Sequence, residues 1–406
     1  MIKFLYTLIA LELFAGGGGR MLELGPITVR MVLFAAGLIA TVFLLLRKAT
    51  VRGAVSLAMM LVAGFIVTHF PSLFIGLFKG SAPEDIFTDL SPLLYWLVAP
   101  FFAIVLEREQ MVLRTAQLIQ MAAIVMALSY LVVIAGLATE QINFGDFYEW
   151  ADMSGEILFR NESLFFYKGF LYLGIGAIFL AALGGRWRGL WLIVVLTALI
   201  LTLTRGFILA TGVAGILLLC TMGRWRAVFV AVCLAAIALF AVWVYLPSLD
   251  EGYLLEQRGI SNSIRLDDLA FMAENVSVGV LSFGEGFGTY INGRLAIENS
   301  YLMIFWKMGP AALVFWLVPF GIALYYFRCI ESHAQYYRLA CAFFFGVLLV
   351  YVQTGTNPYL NNPIGLSFVM MAIFSLRTIS RMESASEMGS AAAVSPLPGS
   401  VAFSEI

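Results

Sequence analysis

Apolar runs of about 15 to 25 residues recur from one end of this chain to the other, and they limit its fold more than any other feature. At a rise of about 1.5 Å per residue, each run can cross roughly 30 Å of hydrocarbon as a helix. Of the 406 residues, 62% are apolar and only 12% are charged, which is more apolar surface than one water-soluble core can hold. The chain is therefore predicted to be a polytopic membrane protein. Its net charge of −1 gives no support to nucleic-acid binding.

The predicted fold is an all-α integral membrane bundle of about twelve spans, because lipid offers no water to satisfy exposed backbone amides. No even-spaced alternation of apolar and polar residues indicates a β-barrel. The fourth run contains Pro92 and Pro100, which predict a kink or a re-entrant segment there. The predicted spans are 2–15, 27–46, 54–78, 91–106, 116–138, 164–183, 190–203, 206–222, 227–246, 300–327, 339–355 and 363–376.

Basic residues in two short links, 184–188 and 223–226, orient the bundle. Short loops follow the positive-inside rule best, so these links and both chain ends are predicted to be cytoplasmic. We call the opposite side the outer side. The predicted organisation is nine spans in 1–246 with an outer loop at 139–163, a large, partly helical outer loop at 247–299, three spans in 300–381 and a disordered cytoplasmic tail at 382–406.

The few metal-ligating side chains argue against a zinc site. The two histidines are His69, in the third predicted span, and His333, in a predicted inner loop. The four cysteines all fall within predicted spans or at their inner ends. A zinc site built from His and Cys is therefore not expected, and acid–base chemistry on the outer side has to use carboxylates.

Arg205 needs explanation because apolar sequence flanks it on both sides, in Leu-Thr-Leu-Thr-Arg-Gly-Phe-Ile-Leu (201–209). An arginine deep in a span costs about 2.5 to 3.5 kcal/mol on insertion scales. One interpretation is that Arg205 lies at an outer turn and extends to the lipid head groups. The other is that it binds an anion in a polar cavity, helped by Thr202, Thr204 and the amides that begin the next helix.

Three further arginines stand beside predicted outer ends of spans. Arg160 lies where the outer loop becomes the sixth span, and Arg258 and Arg265 are seven residues apart. In a helix, that separation puts both on one face. Each could simply pair with a nearby carboxylate, but four such arginines together favour anion binding.

The last feature combines a glycine-rich segment, Gly284-Glu285-Gly286-Phe287-Gly288, with Glu298 just before the tenth predicted span. No strand precedes the glycines, so they are weak evidence for a phosphate loop. A partly desolvated Glu298 could act as a general base, although an ordinary interfacial glutamate fits the spacing equally well.

Three segments resemble motifs of the bacterial O-antigen ligase and polymerase family. Thr202-Leu203-Thr204-Arg205-Gly206 is similar to its Ser/Thr-x-Ser-Arg-Gly element. Arg265 with segment 284–288 is similar to its outer-loop arginine and Gly-x-Gly-x-Gly pattern. Glu298-Asn299-Ser300-Tyr301-Leu302, followed by Gly309, is similar to its His-Asn-x-Tyr-Leu stretch. The resemblance covers roughly residues 150–310, and the first five spans match only in hydropathy.

The resemblance implies a glycosyltransferase of the bacterial inner membrane whose active site faces the periplasm. Its donor would be a glycan on undecaprenyl pyrophosphate, and its acceptor either another lipid-linked repeat unit, in a polymerase, or lipid A core, in a ligase. No metal, cofactor or nucleic acid is expected, and a chain-length regulator protein is a candidate partner. Glu298 stands where the family motif has histidine, and this departure favours a polymerase.

The chemistry of such a transfer assigns roles to the residues singled out above. Breaking the bond between sugar C1 and phosphate needs cations at the departing pyrophosphate and a base at the acceptor hydroxyl. Glu298 would be the base. The predicted pyrophosphate ligands are Arg160, Arg205 and Arg265, with Arg258 beside them and the Thr204 hydroxyl assisting. The residues predicted to position sugars are Asn299, Tyr301, Tyr148, Trp150 and Tyr290.

Three other functions remain open from the sequence. A flippase or transporter of lipid-linked oligosaccharide would also bind pyrophosphate through outer arginines, but transporters need access from both faces and often show repeat symmetry. The polar residues of this chain fall mainly on one side. A ligase differs from a polymerase only in its acceptor, and a scaffold without chemistry is the third alternative.

Overall fold

The computed structural model describes residues 2–17, 19, 23–24, 27–46, 52–159, 164–229, 251–333 and 335–394. Helices dominate this part of the chain. In the first half they are α1 (Ile2–Ala15), α2 (Val29–Leu46), α3 (Arg52–Phe78), α4 (Pro83–Leu90), α5 (Ala99–Val105), α6 (Glu109–Ala138) and α7 (Phe144–Ser154). In the second half they are α8 (Leu171–Leu183), α9 (Arg186–Leu201), α10 (Arg205–Thr221), α11 (Glu251–Glu274), α12 (Val278–Ser282), α13 (Ser300–Arg328), α14 (Tyr337–Thr354) and α15 (Pro363–Val394).

Two very short hairpins accompany the helices. Strand β1 (Glu23–Leu24) pairs antiparallel with β2 (Ile27–Thr28). Strand β3 (Ile157–Phe159) pairs antiparallel with β4 (Phe165–Tyr167), and Phe159 lies opposite Phe165. The sixth predicted span, 164–183, therefore begins as a strand and a turn of 3-10 helix before α8 starts at Leu171.

Six described helices are long and apolar enough to cross a membrane, or seven if one bent pair is a single span. This finding confirms an all-α, multi-pass membrane protein, but it does not support the predicted count of about twelve. Helices α8, α9 and α10 are apolar yet shorter, and α1 has only 14 residues. A span of roughly 20 residues is needed to cross the hydrocarbon without thinning it. Most of the predicted span 227–246 lies outside the described residues.

The predicted interruption near Pro92 and Pro100 is present. Helix α4 ends at Leu90, a 3-10 helix runs from Leu93 to Val98, and α5 follows at once. The two parts meet at a bend of 40°. Pro92 and Pro100 lack the backbone N–H that a continuous helix needs, which explains the break.

Helices α8, α14 and α15 form the centre of the bundle. Residues Leu366, Phe368, Met370 and Leu376 of α15 are fully buried, as are Phe343 and Leu349 of α14. A helix that is apolar all round and buried all round can lie only inside a bundle, not at its lipid surface. The end of this helix reaches into the predicted tail, 382–406. Helix α15 continues to Val394, so the tail predicted to be disordered from Met382 begins as helix, in a stretch rich in the helix-forming residues Ala, Glu and Met.

The segments predicted to face outward contact one another at one end of the bundle. The Tyr167 hydroxyl, from β4, donates to the carbonyl of Ala15 at 2.5 Å, and the Tyr359 hydroxyl donates to the carbonyl of Lys168 at 3.2 Å. The Tyr301 hydroxyl, from α13, donates to the carbonyl of Tyr351 at 2.7 Å. The end of α1, the hairpin β3–β4, the start of α13 and the end of α14 are thus tied together here. Which side of the membrane this end faces stays a prediction.

Candidate functional site

Two of the predicted site residues, Arg265 and Glu298, form an ion pair. The Arg265 Nε donates to Glu298 Oε2 at 2.8 Å, and its Nη2 donates to the same oxygen. The two side chains are 46% and 48% exposed. Arg265 lies on α11 and Glu298 lies just before α13, so the fold brings together a cation and a carboxylate that are separated by 33 positions. The predicted phosphate ligand is therefore neutralised by the predicted base.

Two side-chain hydrogen bonds fix the segment that follows Glu298. Asn299 caps α13, because its Oδ1 accepts a hydrogen bond from the Leu302 amide at 3.2 Å. The Tyr301 hydroxyl is committed to the last turn of α14. Both residues thus stabilise the backbone beside Glu298, and their predicted contacts with sugars stay a prediction.

Arg205 is the first residue of α10 and is exposed. It follows a tight turn in which Leu203 has a φ of +50°. The Thr204 amide donates to Thr202 Oγ1 at 3.3 Å, and the Thr204 hydroxyl donates to the Thr202 carbonyl at 3.2 Å. The predicted ligand Thr204 is buried and turned into this local network, so it shapes the turn that presents Arg205.

Gly206 brings the start of α10 against the end of α14. A Cβ atom on Gly206 would lie 2.3 Å from Thr356 Oγ1 and 3.0 Å from Gln353 Nε2. No larger residue fits without moving those groups, which explains the glycine after Arg205. The last turn of α14 therefore contacts Gly206 through Gln353 and Tyr301 through the Tyr351 carbonyl.

The glycine-rich segment 284–288 is a packing element. Gly284, Gly286 and Gly288 have φ values of +82°, +95° and +75°, a region that side chains rarely adopt. A Cβ on Gly286 would lie 2.5 Å from a backbone nitrogen of α3, and one on Gly284 would lie 2.5 Å from the carbonyl of Lys307.

The amides of this segment are also used in packing. Those of Glu285 and Gly286 donate to carbonyls of α13 at 2.7 and 3.0 Å, and that of Phe287 donates to the Ser72 carbonyl at 3.0 Å. Because these amides are occupied, they do not form a phosphate cradle.

For the remaining predicted residues, the structure describes other contacts or the side chain is outside the described part. The Tyr290 hydroxyl donates to Asp85 Oδ2 at 3.1 Å, and this hydrogen bond to a carboxylate, with its negative charge, raises the pKa of Tyr290. Tyr148 and Trp150 are exposed on α7, at 46% and 47%. Arg160 lies outside the described residues. Arg258 lies on α11, where seven positions place it on the face of Arg265, but its side chain is outside the described part.

Sequence reasoning missed a buried ion pair between α4 and α13. The Lys307 Nζ donates to Asp89 Oδ1 at 2.8 Å, to Asp89 Oδ2 at 2.6 Å and to the Leu295 carbonyl at 2.5 Å. The two side chains are 0% and 7% exposed. Asp89 Oδ2 also accepts from the Gly288 amide at 2.8 Å, so the pair fixes the glycine-rich segment. A lysine inside an apolar span was the available signal, because such residues are costly unless paired.

A second buried pair joins α1 to α2. The Arg30 Nε donates to both carboxylate oxygens of Glu12 at 2.9 Å, and its Nη2 donates to the Gly17 carbonyl at 2.6 Å. Arg30 is 5% exposed, and Glu156, 1% exposed, contributes to its electrostatic environment. In the sequence, Arg30 stands near the start of the second predicted span, 27–46.

Comparison with known proteins supports the motif resemblance over nearly the whole chain. The chain is 28% identical over 386 residues to an O-antigen polymerase of Shigella flexneri, and the alignment covers 93% of this chain and 96% of that protein. No family model matches the chain. An alignment of this length extends well beyond residues 150–310, which carry the motifs. It confirms the resemblance to the O-antigen polymerase family.

Proposed function

Since the chain resembles the O-antigen polymerases along nearly its whole length, we propose that it is a polysaccharide polymerase. In this proposal it transfers a glycan from undecaprenyl pyrophosphate to a hydroxyl of another lipid-linked repeat unit. It acts at the periplasmic face of the bacterial inner membrane and needs no metal ion. The likeness over 93% of the chain carries the proposal, and the Arg265–Glu298 pair supplies its chemistry.

The reaction breaks the bond between sugar C1 and a phosphate oxygen and forms one between C1 and the acceptor oxygen. Negative charge grows on the departing pyrophosphate, and the acceptor hydroxyl loses its proton. Arginine suits the first task because its planar fork donates two parallel hydrogen bonds to phosphate oxygens. We assign that task to Arg265 and Arg205, and the proton transfer to Glu298.

The ion pair gives these two tasks an order. Both side chains are about half exposed, and exposed pairs contribute only about 0 to 1 kcal/mol. A diphosphate carries more charge than one carboxylate and can therefore displace Glu298 from Arg265. Displacement leaves the Glu298 carboxylate without its partner, next to the bound donor, where it can accept the acceptor proton. Donor binding thus activates the base.

The hydrogen bonds beside Glu298 limit the proposed exchange of ion-pair partners to a movement of its side chain. Asn299 and Tyr301 hold the backbone on the helical side of Glu298, so the displaced carboxylate moves by side-chain rotation while its backbone stays in place. The buried ion pair between Lys307 and Asp89 also holds α13 against α4. A ligase would use the same donor chemistry, and glutamate in place of the motif histidine favours the polymerase.

Reconstitution tests the proposal. Purified protein in liposomes receives lipid-linked repeat units extracted from a strain that lacks it, and products are separated by length on a gel. A ladder of polymers that also forms in EDTA is expected. Single units with no ladder would contradict a polymerase, and a ladder that EDTA abolishes would contradict metal independence.

The deletion strain separates the alternatives. Loss of a polymerase leaves single repeat units on the cell surface, because ligation still occurs. Loss of a ligase makes long lipid-linked polymer accumulate, and loss of a flippase leaves no repeat unit outside. Co-purification with a chain-length regulator protein from the same cells would test the proposed partner.

A further inference from the structure

Gln353, in the last turn of α14, is a buried amide without hydrogen bonds. Its side chain is 0% exposed, and neither Nε2 nor Oε1 has a partner in the part of the chain that the structure describes. A buried amide of this kind destabilises a protein, because both the donor and the acceptor have lost water. A buried unpaired polar group in a folded protein calls for an explanation, and completion of the site by a ligand is one.

The amide lies next to the start of α10. A Cβ on Gly206 would be 3.0 Å from Gln353 Nε2 and 2.3 Å from Thr356 Oγ1, so the amide and the Thr356 hydroxyl lie side by side against Gly206. The preceding residue, Arg205, is the proposed pyrophosphate ligand. Gln353 is therefore placed against the residue that follows the proposed pyrophosphate ligand.

The connection from α14 to α15 also contacts the start of α10. The Tyr359 ring packs on Phe207 with their centroids 5.7 Å apart, which holds this connection over the start of α10. Asn361, in the same connection, is 9% exposed, and both of its amide atoms also lack partners among the described residues. Two amides within nine positions of the chain thus lack partners among the described residues, and Tyr359, which lies between them in sequence, contacts α10.

We propose that Gln353 binds the glycan of the donor, a role that rests on the proposed polymerase function. Phosphate oxygens only accept hydrogen bonds, so a phosphate would leave Oε1 unpaired. A sugar hydroxyl both donates and accepts, and two neighbouring hydroxyls satisfy both atoms of an amide. Thr356 lies beside the amide and is partly exposed, so we take its side as the approach of the sugar.

Gln353→Met tests this role, because methionine has nearly the same length and no hydrogen-bonding amide. The matched control is Gln120→Met, since Gln120 on α6 is 8% exposed and its Nε2 also lacks a partner among the residues described. Four quantities are measured for each protein: the Tm, the KM and the kcat for lipid-linked repeat units, and the Kd for each of two probes. The probes are the lipid-linked repeat unit and undecaprenyl pyrophosphate without sugar.

We expect Gln353→Met to keep or raise the Tm, to raise the KM, and to weaken binding of the repeat-unit lipid about tenfold, as the loss of two neutral hydrogen bonds predicts. Binding of sugar-free undecaprenyl pyrophosphate should not change. Gln120→Met should leave both Kd values and the KM unchanged.

Three results would overturn the inference: an unchanged Kd for the repeat-unit lipid, an equal loss for both probes, or a lower Tm that accompanies the loss. Gln353→Leu serves as a second variant if the first does not fold. The Kd is measured without turnover, so the test of Gln353 does not depend on polymer formation. If the wild-type protein binds the repeat unit but makes no polymer, the proposed polymerase function is refuted. The effect of Gln353→Met on the Kd can still be measured in that case.

Discussion

Replacing Lys307 by methionine would leave a carboxylate buried without its counter-ion. Asp89 is 7% exposed and receives two hydrogen bonds from Lys307 Nζ, at 2.8 and 2.6 Å. Removing one partner of a buried ion pair costs about 3 to 5 kcal/mol, because the other charge stays desolvated. The Leu295 carbonyl also loses its donor. We therefore expect Lys307→Met to lower the free energy of unfolding by about 3 to 5 kcal/mol.

Lys79 provides the matched control, because it pairs with Glu285 of the same glycine-rich segment but is 45% exposed. Lys79→Met should cost about 0 to 1 kcal/mol. The double variant Lys307→Met with Asp89→Asn removes both charges and keeps an oxygen that can accept from the Gly288 amide. It should recover more than half of the loss, because the uncompensated charge is gone.

Unfolding in denaturing detergent can be followed by thiol labelling, since Cys341 is buried and reacts only when the bundle opens. The more accessible Cys220 and Cys329 give the early background. A loss below about 1 kcal/mol for Lys307→Met, equal to that of the exposed Lys79→Met, would refute the reasoning. So would a double variant no more stable than the single one.

The other predictions concern turnover and packing. Arg205→Lys should lower kcat at least about tenfold, because ammonium keeps the charge but not the paired hydrogen bonds. The control is Arg294→Lys, at an arginine without a proposed role, and it should leave kcat unchanged. Full activity of Arg205→Lys would remove Arg205 from the mechanism. Glu298→Gln should lower kcat by about 100- to 10,000-fold, as loss of a general base does. The control variant Glu285→Gln should stay active. Equal rates for these two variants would show that Glu298 is not the general base. Gly286→Ala should lower the Tm, because its Cβ would lie 2.5 Å from a backbone nitrogen of α3 at a φ of +95°; an unchanged Tm would show that the segment can shift.

The sequence could predict the class of fold because hydropathy is a local property. Long apolar runs can only be helices in lipid, so the membrane bundle follows from composition and spacing. The break at Pro92 follows in the same way, since a missing N–H is a property of one residue. Local reasoning was less good at counting spans, because it cannot distinguish a helix that crosses lipid from a shorter apolar helix such as α8, whose residues Leu171 and Phe179 are 0% exposed in the bundle.

The candidate site was predictable in its residue types but not in its pairings. Arg265 and Glu298 were both identified from the sequence, yet their mutual contact was not, because it joins α11 to the start of α13 across 33 positions. The role of Gly286 likewise depends on an approach to α3 that no motif encodes.

A charged or polar side chain in an apolar segment indicates that a partner is needed. The sequence does not indicate which residue that partner is. Lys307 pairs with Asp89, 218 positions away in the sequence. The side-chain amide of Gln353 has no hydrogen-bond partner among the described residues. The desolvation cost is fixed by the residue and its apolar neighbours in the chain. What offsets that cost depends on which helices the tertiary structure brings into contact, and only the folded bundle decides this.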